Sequence, residues 1–212
     1  MAFFPLNGDA KDVSGNQRHG QIHGAGRDKH GYEGGAFYFN GTNSYIQAPV
    51  YINANEYPRL TVGAWVKVSK KALARRKIRQ VISNDDGGFD RSLGLDYRSG
   101  EFGWSAFSGD NGVLGSLPIT PQKWTFVAVV YDQWGGRGQG NVRLHVDKQV
   151  IRGPGILGHG LDFIHIGGNP TYGEHFRGWI DNVFIFDWAL SGKQIERIRK
   201  NGAAGILSIK HP

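Results

Sequence analysis

Leu60-Thr61-Val62-Gly63-Ala64-Trp65-Val66-Lys67-Val68 is the stretch on which the fold turns. Successive side chains of a β-strand point to opposite faces, so Leu60, Val62, Ala64, Val66 and Val68 share one face and Thr61, Gly63, Trp65 and Lys67 the other. The first face reads as core. A second run, Trp124-Thr125-Phe126-Val127-Ala128-Val129-Val130-Tyr131, is apolar at nearly every position. That pattern predicts a central strand covered on both sides. Further short runs at Ala36 to Phe39, Tyr45 to Ala48, Ile78 to Ile82, Phe102 to Phe107, Val142 to Val146, Phe163 to Ile166 and Trp179 to Phe186 alternate with Gly, Asn, Asp and Pro. Such spacing predicts an all-β chain of antiparallel strands.

Composition agrees with this reading. The 212 residues include 33 Gly and 8 Pro, more glycine than usual, yet together below the roughly 25 to 30% of low-complexity chains. Tight turns are implied. With no cysteine, the chain has no disulfide framework, thiolate nucleophile or cysteine-based metal site. No 18-residue apolar run is present to span a membrane. The opening Met1 to Gly8 lacks the basic-then-apolar order of a secretory signal. Location is therefore expected to be extracellular or at the cell surface as part of a larger protein, or cytosolic if Met1 is the native start.

One helix is predicted near the end. Ser191 stands three residues before Gln194 in the spacing of a capping box, Ile195 and Ile198 form its docking side, and Asn201-Gly202 reads as its stop. A single domain over residues 1–205 with a tail at 206–212 is the resulting organisation.

Several segments in order resemble a known family. They are Leu6 to Asn16 followed by His19-Gly20, Gly34-Gly35-Ala36-Phe37-Tyr38-Phe39-Asn40-Gly41-Thr42-Asn43-Ser44-Tyr45, Leu60 to Val66, Lys123 to Asp132, Val142 to Asp147, Phe176 to Val183 and Trp188-Ala189-Leu190-Ser191. Together they are similar to a laminin-G-like domain of the concanavalin A-like lectin/glucanase superfamily. The resemblance implies a jelly-roll sandwich of two curved antiparallel sheets, here with one short C-terminal helix. It also implies a choice among lectin, adhesion and hydrolase functions, because the fold hosts all three.

Hydrolases of that superfamily carry Glu-x-Asp-x-x-Glu on one strand, which places a nucleophile and an acid on one face. Here Glu33, Glu56, Glu101, Glu174 and Glu196 are scattered and none sits in that motif. No Gly-x-Ser-x-Gly elbow or phosphate-binding loop is present either. A non-enzymatic binding module is the expectation, and a glycoside hydrolase or lyase with an unrecognised acid pair ranks last.

The resemblance also implies a structural Ca²⁺, with Asp12, the Gly41 carbonyl and Asp181 at the matching positions. Calcium needs six to eight hard oxygens, so carbonyls and waters would complete the shell. The alternative is that Asp12 forms an Asx-turn and Asp181 a strand-end hydrogen bond.

For a sugar, planar acceptors and donors must meet hydroxyls while an aromatic ring meets the apolar pyranose face. Asp85, Asp86, Asp90 and Arg91, in the loop Asn84 to Arg91, together with Asp110 and Asn111, are the candidates for the first role. Trp104 and Trp134 are the candidates for the second. The alternative for the loop is a solvated turn. Trp65, Trp124 and Trp179 lie within strand patterns and are assigned to packing.

Charge is concentrated. Lys67, Lys70, Lys71, Arg75, Arg76, Lys77 and Arg79 carry seven of the 25 basic residues, and the remaining 18 equal the 18 Asp+Glu, so the net +7 belongs to residues 67–79. Lys70, Lys71, Arg75 and Arg76 are the candidates for an anionic partner, and the alternative is a solvated loop that protects a strand edge. Two functions follow from these readings. The first is a calcium-stabilised carbohydrate-binding module that recognises a glycan or glycoprotein through rim loops. The second is a protein-interaction or adhesion domain with no sugar site, engaging an anionic partner through the basic loop. Neither involves specific nucleic-acid binding.

Overall fold

The computed structural model describes residues 1–88, 90–107, 112–133, 140–155 and 158–211. Its elements run β1 (Ala2–Phe4), β2 (Gln21–His23), β3 (Gly26–Asp28), β4 (Ala36–Asn40), β5 (Tyr45–Ala48), β6 (Arg59–Val68), α1 (Lys70–Leu73), β7 (Arg79–Ser83) and β8 (Ser92–Asp96). They continue with β9 (Gly103–Phe107), β10 (Val113–Leu117), β11 (Trp124–Gln133), β12 (Gly140–Val146), β13 (Gln149–Gly153), β14 (Ile164–Ile166), β15 (Arg177–Phe186) and α2 (Gly192–Leu207).

Two antiparallel sheets face each other. One has the order β13-β12-β11-β6-β15-β4-β3, with β1 paired to β15, and the other β10-β9-β8-β7-β14-β5-β2. The predicted all-β sandwich is the observed one. Leu60, Val62, Ala64, Val66 and Val68 of β6 all enter the core between the sheets, joined by Val127, Val129 and Tyr131 of β11. Phe126, Ala128 and Val130 of β11 point the other way, into a second apolar cluster with Trp65, Phe184 and Phe186. β11 is thus covered on both sides, as its unbroken apolar pattern requires.

The outer cover is α2. Ser191 and Gln194 form the capping box, each side chain holding the other's backbone, and Ile195 and Ile198 are buried against the outer cluster. The expected stop at Asn201-Gly202 is a break between two helical segments. Gly202 takes φ 55 and kinks the helix, which continues to Leu207. Continuation is possible because Glu33 Oε2 accepts the Ala203 backbone N–H at 2.7 Å and so caps the second segment. Ile206 and Ile209 are buried in the outer cluster, so residues assigned to a tail pack as part of the domain. Among the described residues no helix is long and apolar enough to cross a membrane.

Candidate functional site

The register of three strands builds an aromatic row on the outer face of the first sheet. Trp124 of β11 pairs with Lys67 of β6, and Lys67 with Trp179 of β15. Lys67 Nζ consequently lies 4.9 Å from the Trp124 ring centre and 4.4 Å from that of Trp179. Tyr38 of β4 extends the row, its ring centre 5.0 Å from that of Trp179. Trp179 is fixed in turn by donating its indole N–H to Asp28 Oδ2 at 2.8 Å. Tyr38, Lys67, Trp124 and Trp179 are all half-buried, so each keeps part of its surface in water.

At the other end the row turns into a groove of about 560 Å³. Tyr32 stacks on Trp65 with ring centres 4.8 Å apart and meets Trp124 edge-on at 6.4 Å. Trp65 is buried beneath, whereas Tyr32 is 37% exposed. Tyr32 stands on the loop 31–35, and β15 holds that loop. Asp181 Oδ2 accepts the backbone N–H groups of Tyr32 (2.7 Å) and Glu33 (3.0 Å), and Glu33 Oε2 accepts the Asn182 side-chain amide at 2.9 Å. Lys123, Asp147, Gln149 and Arg199 supply polar groups around the rings. Asp147 is anchored by accepting the Phe126 N–H at 3.0 Å, and Arg199 is held by Glu196 at 2.7 Å. Lys123 keeps 64% of its side chain exposed. A floor of rings with a few fixed donors and acceptors is what a ligand with both apolar and hydroxylated faces requires.

The loop proposed from the sequence is built differently. Asp85, Asp90 and Arg91 are buried, at 5%, 8% and 4% exposure. The Arg91 guanidinium donates to the Ile52 carbonyl at 2.7 Å, to the Tyr57 carbonyl and to Gln133 Oε1, and lies 4.6 Å from the Tyr131 ring centre. It ties loop 52–57 to the sandwich. Asp85 receives the Asn169 amide at 2.8 Å and the Asp90 N–H at 3.3 Å. Burial first, then the neighbouring Asp85 and Asp86 charges, push the Asp90 carboxyl up to about 7. Asp86 is the exposed member of this set. Trp104 is completely buried in the core between the sheets, so the expectation of a sugar platform there is corrected. Asp110, Asn111 and Trp134 lie outside the described residues.

The three expected calcium ligands sit in three different settings. Asp12 Oδ1 accepts the N–H groups of Phe3 (3.0 Å) and Ser14 (2.9 Å), and Oδ2 accepts that of Arg18 (3.1 Å), the Asx-turn arrangement. Gly41 packs beside Arg177 and Arg79, where a cation would be repelled. Asp181 stands apart from both. It is fully buried, and its Oδ1 has no hydrogen-bond partner. Burial raises its carboxyl to about 7 against the backbone N–H groups of Glu33, Tyr32 and Asn182, which favour the anion. Among the described residues no group of three or more His, Cys, Asp or Glu is placed to hold a metal. Lys70, Lys71, Arg75 and Arg76 are all exposed, on α1 and the segment after it.

Sequence reasoning missed Tyr32, Trp124 and Trp179 as a surface. The alternation of β6 carried the signal, since it placed Trp65 and Lys67 together on the face opposite the core.

Comparison with known proteins supports the fold. No curated protein matches the chain. The solved binding domain of botulinum neurotoxin serotype D superposes with a TM-score of 0.70 at 17% identity, covering 95% of this chain and 51% of that one. The binding domain of Paraclostridial Mosquitocidal Protein 1 gives 0.63 at 16%, covering 89% and 48%. The binding domain of botulinum neurotoxin DC, solved in complex with SialylT, gives 0.62 at 16%, covering 94% and 50%. The chain therefore spans about half the length of these structures. A sequence profile described as the concanavalin A-like lectin/glucanases superfamily matches residues 40–196, most of both sheets and the start of α2. The chain belongs to the concanavalin A-like lectin/glucanases superfamily, in its laminin-G-like branch.

Proposed function

We propose that this chain is a non-catalytic carbohydrate-recognition domain whose glycan lies on the groove formed by Tyr32, Trp65 and Trp124. The exposed, pre-stacked Tyr32 beside the half-buried Trp124 is the observation that carries the reading. A pyranose ring stacks its C–H face on these rings, and Lys123, Asp147 and Gln149 bond its hydroxyls. Preformed rings lose little freedom on binding, which favours affinity. This moves the recognition surface from the rim loops to a sheet face. The scattered glutamates support the absence of hydrolysis.

Calcium belongs to this proposal through Asp181 alone. A cation at Oδ1 would supply the partner that this buried oxygen lacks and keep the carboxylate ionised, holding the Tyr32 loop in place. The setting is extracellular or at the cell surface, within a longer protein.

A glycan array read with calcium and with EDTA tests the reading. Trp124→Ala and Tyr32→Ala should each weaken any hit roughly 3- to 10-fold while leaving the fold intact. A blank array, or hits indifferent to both substitutions, removes it. The second reading is a protein-interaction domain, supported by a botulinum neurotoxin DC binding domain of the same fold solved in complex with rat synaptotagmin II. For calcium, the melting temperature should rise on adding the ion to wild type but not to Asp181→Asn. An equal rise in both removes the metal.

A further inference from the structure

A second cavity, of about 530 Å³, opens beside α1 and is lined by Lys71, Arg75, Lys77, Arg79 and Arg177 with Gly41 and Thr42. Five cations meet there without an acid. Among the described residues no carboxylate lies within ion-pair distance of any of them. Glu174, near Arg177 in the chain, turns instead to Gln80 at 3.2 Å and Arg98 at 3.9 Å.

We infer that this cavity binds the sulfate ester of an acidic polysaccharide. Arg79 forms its base and is 6% exposed. Its guanidinium is aimed by two backbone acceptors, the carbonyls of Ala72 at 3.3 Å and His175 at 2.8 Å. Arg177 lies beside it, and its buried Nε has no partner. Gly41, at φ 77, lets both approach, because a Cβ there would fall 2.8 Å from Arg177 Cβ and 3.0 Å from Arg79 Nη1. Burial, followed by the Arg177 charge, lowers the Arg79 pKa. A tetrahedral oxyanion answers both needs, since planar guanidinium forks match its oxygens pairwise.

The rim narrows the source of that anion. Lys71, Arg75 and Lys77 are exposed, so they suit a polyanion better than a single ion. The lining contains no aromatic side chain. Base stacking on single strands and apolar insertion into a bilayer both need such groups. A sulfated sugar chain needs neither. Arg177 precedes Trp179 by two residues on β15, roughly 7 Å along the strand, so the cavity borders the aromatic row. The site is nevertheless independent of the sugar groove, and the two readings stand or fall separately.

Calorimetry with a heparin hexasaccharide and its desulfated counterpart tests the site. Wild type should bind the sulfated form, and removing sulfate should weaken binding tenfold or more. Arg177→Gln, and separately Lys71→Gln with Lys77→Gln, should each weaken it roughly tenfold. These positions are preferred to Arg79, whose burial puts folding at risk. Lys193→Gln, which removes one exposed charge from α2 outside the cavity, should stay within about twofold of wild type, which ties the effect to this site. As a second readout, sulfate replacing chloride at constant ionic strength should raise the melting temperature of wild type more than that of Arg177→Gln. Equal binding of the desulfated form, no loss in either variant, or tighter binding to phosphoinositide vesicles or duplex DNA than to heparin would overturn the inference.

Discussion

Lys67 Nζ sits 4.4 Å from the centre of the Trp179 indole ring, and 4.9 Å from that of Trp124 on its other side. One ammonium thus bridges two rings that the sheet register brings into a single row. Both indoles keep part of their surface in water. Replacing Lys67 by Met keeps the length of the stem and removes the charge. Lys67→Met should lower the unfolding free energy by about 1 kcal/mol in urea titration, the usual size of a half-desolvated cation–π contact. Unchanged stability would mean that the rings are held by the strands alone.

Gly63 offers a sharper packing test. A Cβ at this position would lie 2.8 Å from the Val127 carbonyl oxygen and 2.9 Å from the Ala128 Cβ, besides striking the Phe184 ring. The backbone neighbours cannot yield without disturbing the β6–β11 pairing. Gly63→Ala should cost about 1–3 kcal/mol by thermal or urea unfolding, against the ordinary preference for alanine in a strand. A neutral or stabilising effect would contradict the described fit of β6 against Phe184.

These two positions also show how much was legible in advance. Alternation in Leu60 to Val68 assigned each side chain to its observed face, because period 2 is imposed by strand geometry whatever the partner. What lay on the outer side was not readable, since that depends on α2 and on a loop brought from residues 31–35. Their strand patterns alone give Trp65 and Trp124 the same packing role. One is buried under Tyr32 and the other half open, a difference decided by contacts with Tyr32, 33 and 92 positions away in the chain. β8 was missed for another reason. Its Ser92-Leu93-Gly94-Leu95-Asp96 has turn composition, yet Gly94 is there because a Cβ would strike the Arg79 carbonyl oxygen of the neighbouring strand. The acidic loop misled for a related cause. Asp and Gly mark a turn from its local chemistry, but whether their polar atoms face solvent or the Asn169 and Asp90 donors is a tertiary matter.

Histidine burial predicts a response to acid. His165 is packed edge-on between Tyr45 and Phe163, each with ring centres 5.1 Å away, and burial together with His23 and His175 lowers its pKa from 6.5 to about 4. The unfolded chain therefore binds this proton between about pH 6.5 and 4 while the folded chain does not. Its contribution opposes folding increasingly as pH falls through that window and is absent above it. His165→Gln should flatten the fall in melting temperature between pH 6.5 and 4 relative to wild type. Parallel curves for the two proteins would show that His165 protonates in place.

Arg91 and Asp86 separate the two roles that one loop might have had. Removing the Arg91 side chain leaves the carbonyls of Ile52 and Tyr57 without this donor in a buried setting, so Arg91→Ala should destabilise the domain by about 3 kcal/mol. Asp86 is exposed, and its carbonyl rather than its carboxylate receives the Tyr172 hydroxyl at 2.8 Å. Asp86→Ala should thus remain within about 0.5 kcal/mol of wild type. Binding completes the argument. Under the proposed groove, Asp86→Ala retains every glycan hit that Tyr32→Ala weakens. If instead Asp86→Ala abolishes those hits at unchanged stability, recognition belongs to the loop and the aromatic face is packing.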